Sequence, residues 1–244
     1  RANYYKMKIA ICFSGLTRFW DIGYYFHKKY LLDEYNVDIF IHSWFDDNMF
    51  EQQKVLDRYK PISYDIQKNN QIVLPQEYPR GTSPNHKAYN IFSFYKSIQA
   101  CNALKCKYEN LHNFKYDWVF RMRFDYALNR FFDLSKLSND NIHVPLELKE
   151  RELLTDQFAF SNSHNMDIYS QVYDYLDLYY KEGEYMVGEH MLALHLKKNN
   201  IFSKVQYHDM NHPFYPTGKD SMTHSLIRRE TIMKPNAANT FAGN

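Results

Sequence analysis

The sequence has little of several residue types, and each shortage excludes a class of protein. Only 3 cysteines occur among its 244 residues, at Cys12, Cys101 and Cys106. Three cysteines make no disulfide framework, so we expect a reducing, cytoplasmic setting. The formal net charge is only +2, and lysine and arginine form no dense cluster. A protein that binds nucleic acid by neutralising phosphates needs such a cluster, so nucleic acid is not an expected partner.

Long apolar runs and several common motifs are also missing. No run approaches the roughly 18 apolar residues of a membrane span, so we expect no integral membrane segment. The sequence lacks His-Glu-x-x-His, Cys-x-x-Cys and an EF-hand loop, which argues against zinc and structural calcium. With only 7 glycines, it contains neither a Walker loop nor the three-glycine dinucleotide fingerprint. Any nucleotide site must therefore use a different loop.

The element pattern of the first half predicts an α/β fold. Apolar residues predict a buried strand over 8–13, a helix over 20–32 and a second strand over 37–42. Strand, helix and strand in that order form a βαβ unit, which favours a mostly parallel sheet with a right-handed crossover. Residues 54–66 predict another helix or irregular segment followed by a third strand. The polar stretch 68–84 contains several prolines and predicts a long loop.

The second half continues this pattern without a linker. Ser83 and Pro84 predict the start of a helix that reaches about Glu109, because serine caps helices and proline opens them. The further predicted elements are strands at 117–125, 142–145 and 157–161 and helices over 163–179 and 186–198. We therefore expect one domain over 1–229 and a loose tail over 230–244, where the apolar pattern fades.

The most informative segment is a strand-like apolar run that ends in Arg121, Arg123 and Asp125. Side chains alternate along a strand, so these three are expected on one face. Two guanidinium groups beside a carboxylate suit the phosphate of a nucleotide, held partly by arginine and partly through Mg²⁺ or Mn²⁺. An internal lattice of Arg–Asp ion pairs is the alternative, and this segment alone does not separate the two.

A second candidate site is the turn 14–18 after the first strand. In open α/β sheets, ligands bind beyond the carboxyl ends of the strands, where loops and helix N-termini offer N–H groups to phosphate. The residues of this turn that we expect to contact a nucleotide are Ser14, Gly15, Thr17 and Arg18. Asp46 follows the second strand and would lie on the same rim, where it could bind ribose hydroxyls. A solvated acidic loop is the alternative for Asp46.

Two carboxylates are candidates for acid–base chemistry. Asp156 stands at the start of an apolar strand, where it could take a proton from an acceptor hydroxyl, and a capping role is the alternative. Glu189 follows Gly188 at a helix start and could be either a base or a group that favours the helix dipole. His208 and His212 lie four residues apart before a proline in an expected loop. His212 is the candidate to complete a metal shell, with a packing role as the alternative.

Four segments together resemble the GT-A class of glycosyltransferases, in particular small transferases of large algal viruses and bacterial polysaccharide clusters. These segments are 9–18, 38–44, 121–125 and 155–160. In that class an Asp-x-Asp motif ends a central strand and holds manganese against the diphosphate of a sugar nucleotide. Asp125 matches one of these acids. Arg123 and Ala127 stand two residues away on either side, where the second acid would be.

The resemblance implies a GT-A-like, Rossmann-like fold in which residues 7–130 bind the nucleotide sugar and residues 131–229 bind the acceptor. It implies transfer of a hexosyl or deoxyhexosyl group from a nucleoside-diphosphate sugar, with UDP as the expected nucleotide, to a hydroxyl of a glycan or glycoprotein, assisted by Mn²⁺ or Mg²⁺. An inverting transfer would use Asp156 as its base, whereas a retaining transfer needs no such base.

Three alternatives stay open from the sequence: a sulfotransferase, a nucleotidyltransferase and a non-catalytic carbohydrate-binding protein on the same fold. If the protein is viral, the expected location is the cytoplasm of the host.

Overall fold

The computed structural model describes residues 7–45, 49–68, 72–81, 87–146 and 148–209. Seven strands and six α-helices lie within them. The strands are β1 (Ile9–Leu16), β2 (Val37–Phe45), β3 (Ser63–Lys68), β4 (Trp118–Met122), β5 (Ile142–Pro145), β6 (Phe158–Ser161) and β7 (Val205–His208). The helices are α1 (Trp20–His27), α2 (Met49–Tyr59), α3 (Ala88–His112), α4 (Ser163–Tyr169), α5 (Val172–Lys181) and α6 (Gly188–Lys198).

All seven strands form one sheet in the order β3-β2-β1-β4-β6-β5-β7. The first four in this order are parallel to one another. β6 is antiparallel to both β4 and β5, and β7 pairs in parallel with β5. The predicted α/β class, the mixed but mostly parallel sheet and the single domain are therefore confirmed. Because the sheet continues from β4 into β6, the two predicted halves of the chain share it.

Alternate residues of the central strands face two separate cores. On β1, Ala10 and Cys12 pack in the core that contains α3, α5 and α6. Ile9, Ile11 and Phe13 pack in the core that contains α1 and α2. Both faces of the sheet are thus covered by helices, which explains why β1 is apolar at nearly every position.

The long helix α3 connects β3 to β4 across one face of the sheet. It has 25 residues and begins at Ala88, while the predicted start at Ser83 and Pro84 lies outside the described residues. The helix ends at His112, and the following Asn113 has a left-handed φ of 52° and an N–H that donates to the carbonyl of Asn110. This crossover places the first turn of α3 beside the carboxyl ends of the parallel strands.

Two of the predicted helices differ from those in the structure. The helix predicted over 163–179 is two helices, α4 and α5, with a break at 170–171. The side chain of Asn162 caps α4 by accepting a hydrogen bond from the N–H of Asn165, and the Ser163 hydroxyl accepts one of 2.6 Å from the buried Lys105. In the first half, the helix predicted over 20–32 is α-helical up to His27 and then widens into a short π-helical turn over Lys28–Leu32.

β7 is an additional strand in a segment that was expected as loop. Its register places Val205 opposite Ile142 and His208 opposite Pro145. The rings of His143 and His208 meet across this pair, with Nδ1 of His143 2.8 Å from Nε2 of His208. The strand is defined by its pairing with β5, a contact between residues far apart in sequence, and so the local pattern around the following proline gave no signal for it.

His27, the last residue of α1, is fully buried and neutral. Its Nε2 lies 2.7 Å from the carbonyl oxygen of Tyr126, and its Nδ1 lies 2.9 Å from the hydroxyl of Tyr59. The carbonyl can only accept, so Nε2 carries the proton and Nδ1 accepts from the tyrosine. Burial lowers the pKa of His27 to about 3, although the hydrogen bond to Tyr126 opposes this shift.

Acid should therefore destabilise the fold through His27. Between its unfolded pKa of 6.5 and its folded pKa of about 3, the unfolded chain binds a proton that the folded chain does not, so stability falls as the pH falls. We expect the free energy of unfolding of His27→Gln to change with pH between 6 and 5 less steeply than that of the parent, by about 1.4 kcal/mol per pH unit. Urea unfolding at several pH values measures this slope.

The matched control is His164→Gln, which removes an exposed histidine. Equal slopes for the parent and His27→Gln would show that His27 is not held neutral by the fold.

Candidate functional site

The candidate site lies at the carboxyl ends of β1, β2 and β4. The antiparallel pairing of β6 with β4 places Phe158, at the start of β6, opposite Met122, at the end of β4. Asp156 lies two residues before β6 and therefore comes to the same edge of the sheet. The first turns of α3 and α6 also lie at this edge, where their free N–H groups favour anions. Residues from both halves of the chain thus meet here.

The turn after β1 presents a buried serine and a constrained glycine. Ser14 is 1% exposed, and its Oγ has no hydrogen-bond partner among the described residues. Gly15 has a φ of +108°, a conformation that other residues rarely adopt. Its N–H donates to the hydroxyl of Ser97 on α3, at 2.8 Å, and that hydroxyl lies 2.8 Å from Nδ1 of His42 on β2. The turn is therefore fixed to both neighbouring elements.

A pocket of about 250 Å³ opens directly above this turn. Four of the predicted nucleotide-binding residues line it: Ser14, Gly15, Arg18 and Arg123. The remaining wall consists of Leu16, Trp44, Tyr89, Asn90, Ser93 and Phe94. The pocket thus combines two guanidinium groups with aromatic rings and with the first turns of α3.

A second cavity of about 500 Å³ adjoins the first and shares Leu16, Arg18 and Trp44 with it. Thr17 faces this second cavity, where its hydroxyl accepts a hydrogen bond of 3.0 Å from Nε2 of Gln52. The Oε1 of Gln52 is buried and has no partner in the described part of the chain. The predicted turn therefore borders two connected cavities, with Arg18 between them.

Arg121 is a buried cation whose hydrogen bonds are incomplete. It is 1% exposed and lies on the α3 side of β4, with its Nη1 donating to the carbonyl oxygen of Asp156. Its guanidinium carbon lies 4.6 Å from the centre of the Phe94 ring, which lines the pocket. Nε and Nη2 are buried and have no hydrogen-bond partner among the described residues. Burial lowers the pKa of Arg121, and the unmade bonds add a further cost to holding it there.

Arg123 and Asp125 form an ion pair after the end of β4. The strand ends at Met122, and residues 123–126 form a turn, so the expected single strand face for the three side chains is wrong. Nε and Nη2 of Arg123 donate to the two carboxylate oxygens of Asp125 at 2.8 and 2.7 Å. The Arg–Asp ion pair that the sequence left as an alternative is therefore present. Both oxygens of the predicted metal ligand are engaged with arginine.

Asp156 and Glu189 lie together beside the arginines, and both are half-buried. Burial and the charge of Glu189 raise the pKa of Asp156 to about 7, while Arg121 and Arg123 oppose this shift. A Cβ atom at Gly188 would lie 3.0 Å from Oδ2 of Asp156. The carboxyl group of Asp156 is thus packed against the first turn of α6. Asp156 and Glu189 are the two carboxylates that the sequence indicated for acid–base chemistry.

Several residues of the site have no signal in the sequence. Tyr95 has the spacing of a core residue on α3, but its hydroxyl donates to the carbonyl oxygen of Gly188 at 2.7 Å. The hydroxyl of Tyr169 is buried without a hydrogen-bond partner among the described residues, and the phenol interacts electrostatically with Arg121 and Asp156. Both tyrosines follow the apolar face of a helix, so only the folded arrangement shows that they meet the acid pair.

Two predicted site residues, Asp46 and His212, lie outside the described residues. Among the described residues, one group of three potential ligands lies close together: Cys106, Glu109 and Asp167. The Nζ of Lys105 lies 2.7 Å from Asp167 and 3.3 Å from Glu109, so a cation of the protein already occupies this cluster. It does not include Asp125, the predicted metal ligand.

The comparison with protein families gives one match, which covers residues 4–215 and is described as "Domain of unknown function (DUF7796)". The chain belongs to this family. In the comparison with curated proteins, no protein matches this chain. The described helices include none that combines the length and the apolar character needed to cross a membrane.

Two buried cations, Lys105 and Arg121, differ in their hydrogen-bond partners. This difference predicts that removing Lys105 lowers the stability of the fold much more than removing Arg121. Lys105 has Ser163, Asp167 and Glu109 within reach, so Lys105→Met should cost about 3–5 kcal/mol of stability because it leaves buried carboxylates unpaired. Arg121→Met removes a cation with two unmade hydrogen bonds and should cost roughly 1 kcal/mol or less. Urea unfolding of both variants measures the two costs.

A loss for Arg121→Met as large as that for Lys105→Met would show that Arg121 is held there for stability. The expected small loss would instead indicate that the site keeps Arg121 for a ligand.

Proposed function

We propose that the protein is a glycosyltransferase that uses a nucleoside-diphosphate sugar, on a GT-A-like fold. One observation carries the proposal: Asp156, whose pKa is raised to about 7, is bonded through its carbonyl oxygen to Arg121 at the edge of the sheet where Arg18 and Arg123 line a pocket. The arginines suit a diphosphate, and the carboxyl group suits a base for an acceptor hydroxyl. One edge of the sheet would then hold both substrates of a sugar transfer.

The donor would bind at the turn after β1. Arg18 and Arg123 line the smaller pocket and would contact the diphosphate through charge-assisted hydrogen bonds. The hydroxyl of Ser14, which has no hydrogen-bond partner among the described residues, would supply a further bond to the donor. Trp44 and Phe94 supply flat apolar surfaces for the nucleoside. With UDP as the proposed nucleotide, the larger cavity beside Thr17 leaves space for the remainder of the donor.

The acceptor would bind on the side of Asp156. As the acceptor oxygen forms its bond to the anomeric carbon, the bond from that carbon to the diphosphate breaks and the hydroxyl proton passes to Asp156. The charge that develops on the departing diphosphate is stabilised by the arginines of the pocket. A base with a pKa near 7 is suited to this task at neutral pH, which favours inversion of the anomeric centre. A glycan or a glycoprotein is the proposed acceptor.

Replacing Asp156 by asparagine tests the base directly. Asp156→Asn keeps the size and the polarity of the side chain but cannot take a proton, so kcat should fall by about 100-fold or more at saturating donor. The affinity for the donor should change little. In the parent, kcat/KM should rise with pH through about 7, where Asp156 loses its proton, and this rise should be absent in the variant.

The control is Asp140→Asn, which removes an exposed carboxylate that pairs with Lys204 away from the pocket. Near-normal turnover in Asp156→Asn would rule out its role as base. Identification of the product anomer by NMR would then separate a role for Glu189 in inversion from a retaining transfer without a base.

A further inference from the structure

The carboxylate of Asp125 is already committed to an arginine. The residue is 4% exposed, and both of its oxygens accept hydrogen bonds from Arg123. The turn is closed by a hydrogen bond of 3.3 Å from the N–H of Tyr126 to the carbonyl of Arg123. A two-bonded pair of this kind fixes the plane of the guanidinium group, since the fork of arginine matches the two oxygens of a carboxylate.

The groups around Asp125 do not fit Mn²⁺ or Mg²⁺. These ions take several oxygen ligands, with carboxylates prominent among them. In the part of the chain that the structure describes, Asp125 belongs to no group of three or more His, Cys, Asp or Glu side chains with ligand atoms within 4.8 Å of one another. The charged partner in contact with it is the cation Arg123, which an incoming metal ion would have to displace.

Two arginines of the protein lie where a metal ion would contact the diphosphate of the donor. Arg18 is exposed at the junction of the two cavities, and Arg123 lines the smaller one. Asp125 holds Arg123 through Nε and Nη2, which leaves Nη1 as the part of the guanidinium group directed to other partners. Arg121 adds a further positive charge behind the Phe94 wall of the same pocket. Arg18 and Arg123 therefore border the space that the proposed diphosphate would fill, with Arg121 behind its Phe94 wall and Asp125 balancing part of the charge of Arg123.

We infer, on the basis of the proposed function, that Arg18 and Arg123 neutralise the diphosphate of the donor without a divalent metal ion and that Asp125 is a positioning residue, which orients Arg123. The guanidinium groups supply the charge and the directed N–H donors for the phosphate oxygens. Asp125 acts through Arg123 and does not touch the donor.

The test is the binding of uridine diphosphate and of uridine to the full chain, by calorimetry, in excess EDTA and in the presence of MnCl₂. We expect uridine diphosphate to bind equally well under both conditions. Arg123→Ala should weaken this binding about tenfold to hundredfold, because charge-assisted phosphate bonds are lost. Arg123→Lys keeps the charge without the fork and provides a second variant in case Arg123→Ala does not fold.

The role of Asp125 can be tested by comparing the binding of uridine diphosphate with the binding of uridine. Asp125→Asn should weaken the binding of uridine diphosphate by about tenfold and leave the binding of uridine unchanged, since only the phosphate contacts depend on Arg123. A purely structural role would weaken both ligands. Arg58→Ala, on the exposed side of α2, is the matched control and should behave like the parent.

The outcomes separate this inference from the proposed function. Metal-independent binding that is lost in the Arg123 variants supports it. Binding of uridine diphosphate only with manganese, abolished in Asp125→Asn, overturns the inference but leaves the proposed glycosyltransferase standing. Failure of uridine, guanosine, adenosine and cytidine diphosphates to bind under either condition overturns both.

Discussion

The antiparallel pairing of β6 with β4 is the constraint on which the candidate site depends. Four parallel strands carry the first half of the chain, and their carboxyl ends supply the turn at Ser14 and the arginines at the end of β4 and just after it. A parallel β6 would end, rather than begin, at this edge and would carry Asp156 to the opposite edge of the sheet. Because Phe158 pairs with Met122, the acid and the arginines come to the same edge.

At the same edge, buried polar groups without hydrogen-bond partners among the described residues lower the stability of the fold. On the α3 side of the sheet the apolar positions Ala10 and Cys12 are followed by Ser14, and the apolar Val119 by Arg121. The hydroxyl of Ser14 and two nitrogens of Arg121 are buried without hydrogen-bond partners among the described residues. Buried polar groups in proteins are normally satisfied, so these positions reduce the stability of the fold. Incomplete satisfaction of this kind concentrates at sites that bind a ligand.

Much of the fold could be predicted from local patterns. β1 and β2 are short apolar runs that end in polar turns, and buried residues recur at helical spacing along α3. The site was only partly predictable. The turn at Ser14 and the acid Asp156 stand next to strands, and the rule that ligands bind at the carboxyl edge is enough to single them out. The ion pair of Arg123 with Asp125 depends on the strand ending at Met122, which an uninterrupted alternating pattern conceals. Tyr95 and Tyr169 have the spacing of core residues, so their place beside the acid pair follows only from how α3 and α4 pack.

A crystal structure of the full chain with uridine diphosphate, grown in EDTA, tests the metal-free diphosphate site most directly. We expect the diphosphate oxygens within hydrogen-bond distance of Arg18 and Arg123, with the open side of the terminal phosphate facing Asp156. A diphosphate bound elsewhere would contradict it. One such place is the cavity of about 470 Å³ at the opposite edge of the sheet, lined by Lys8, Asp38 and Tyr108.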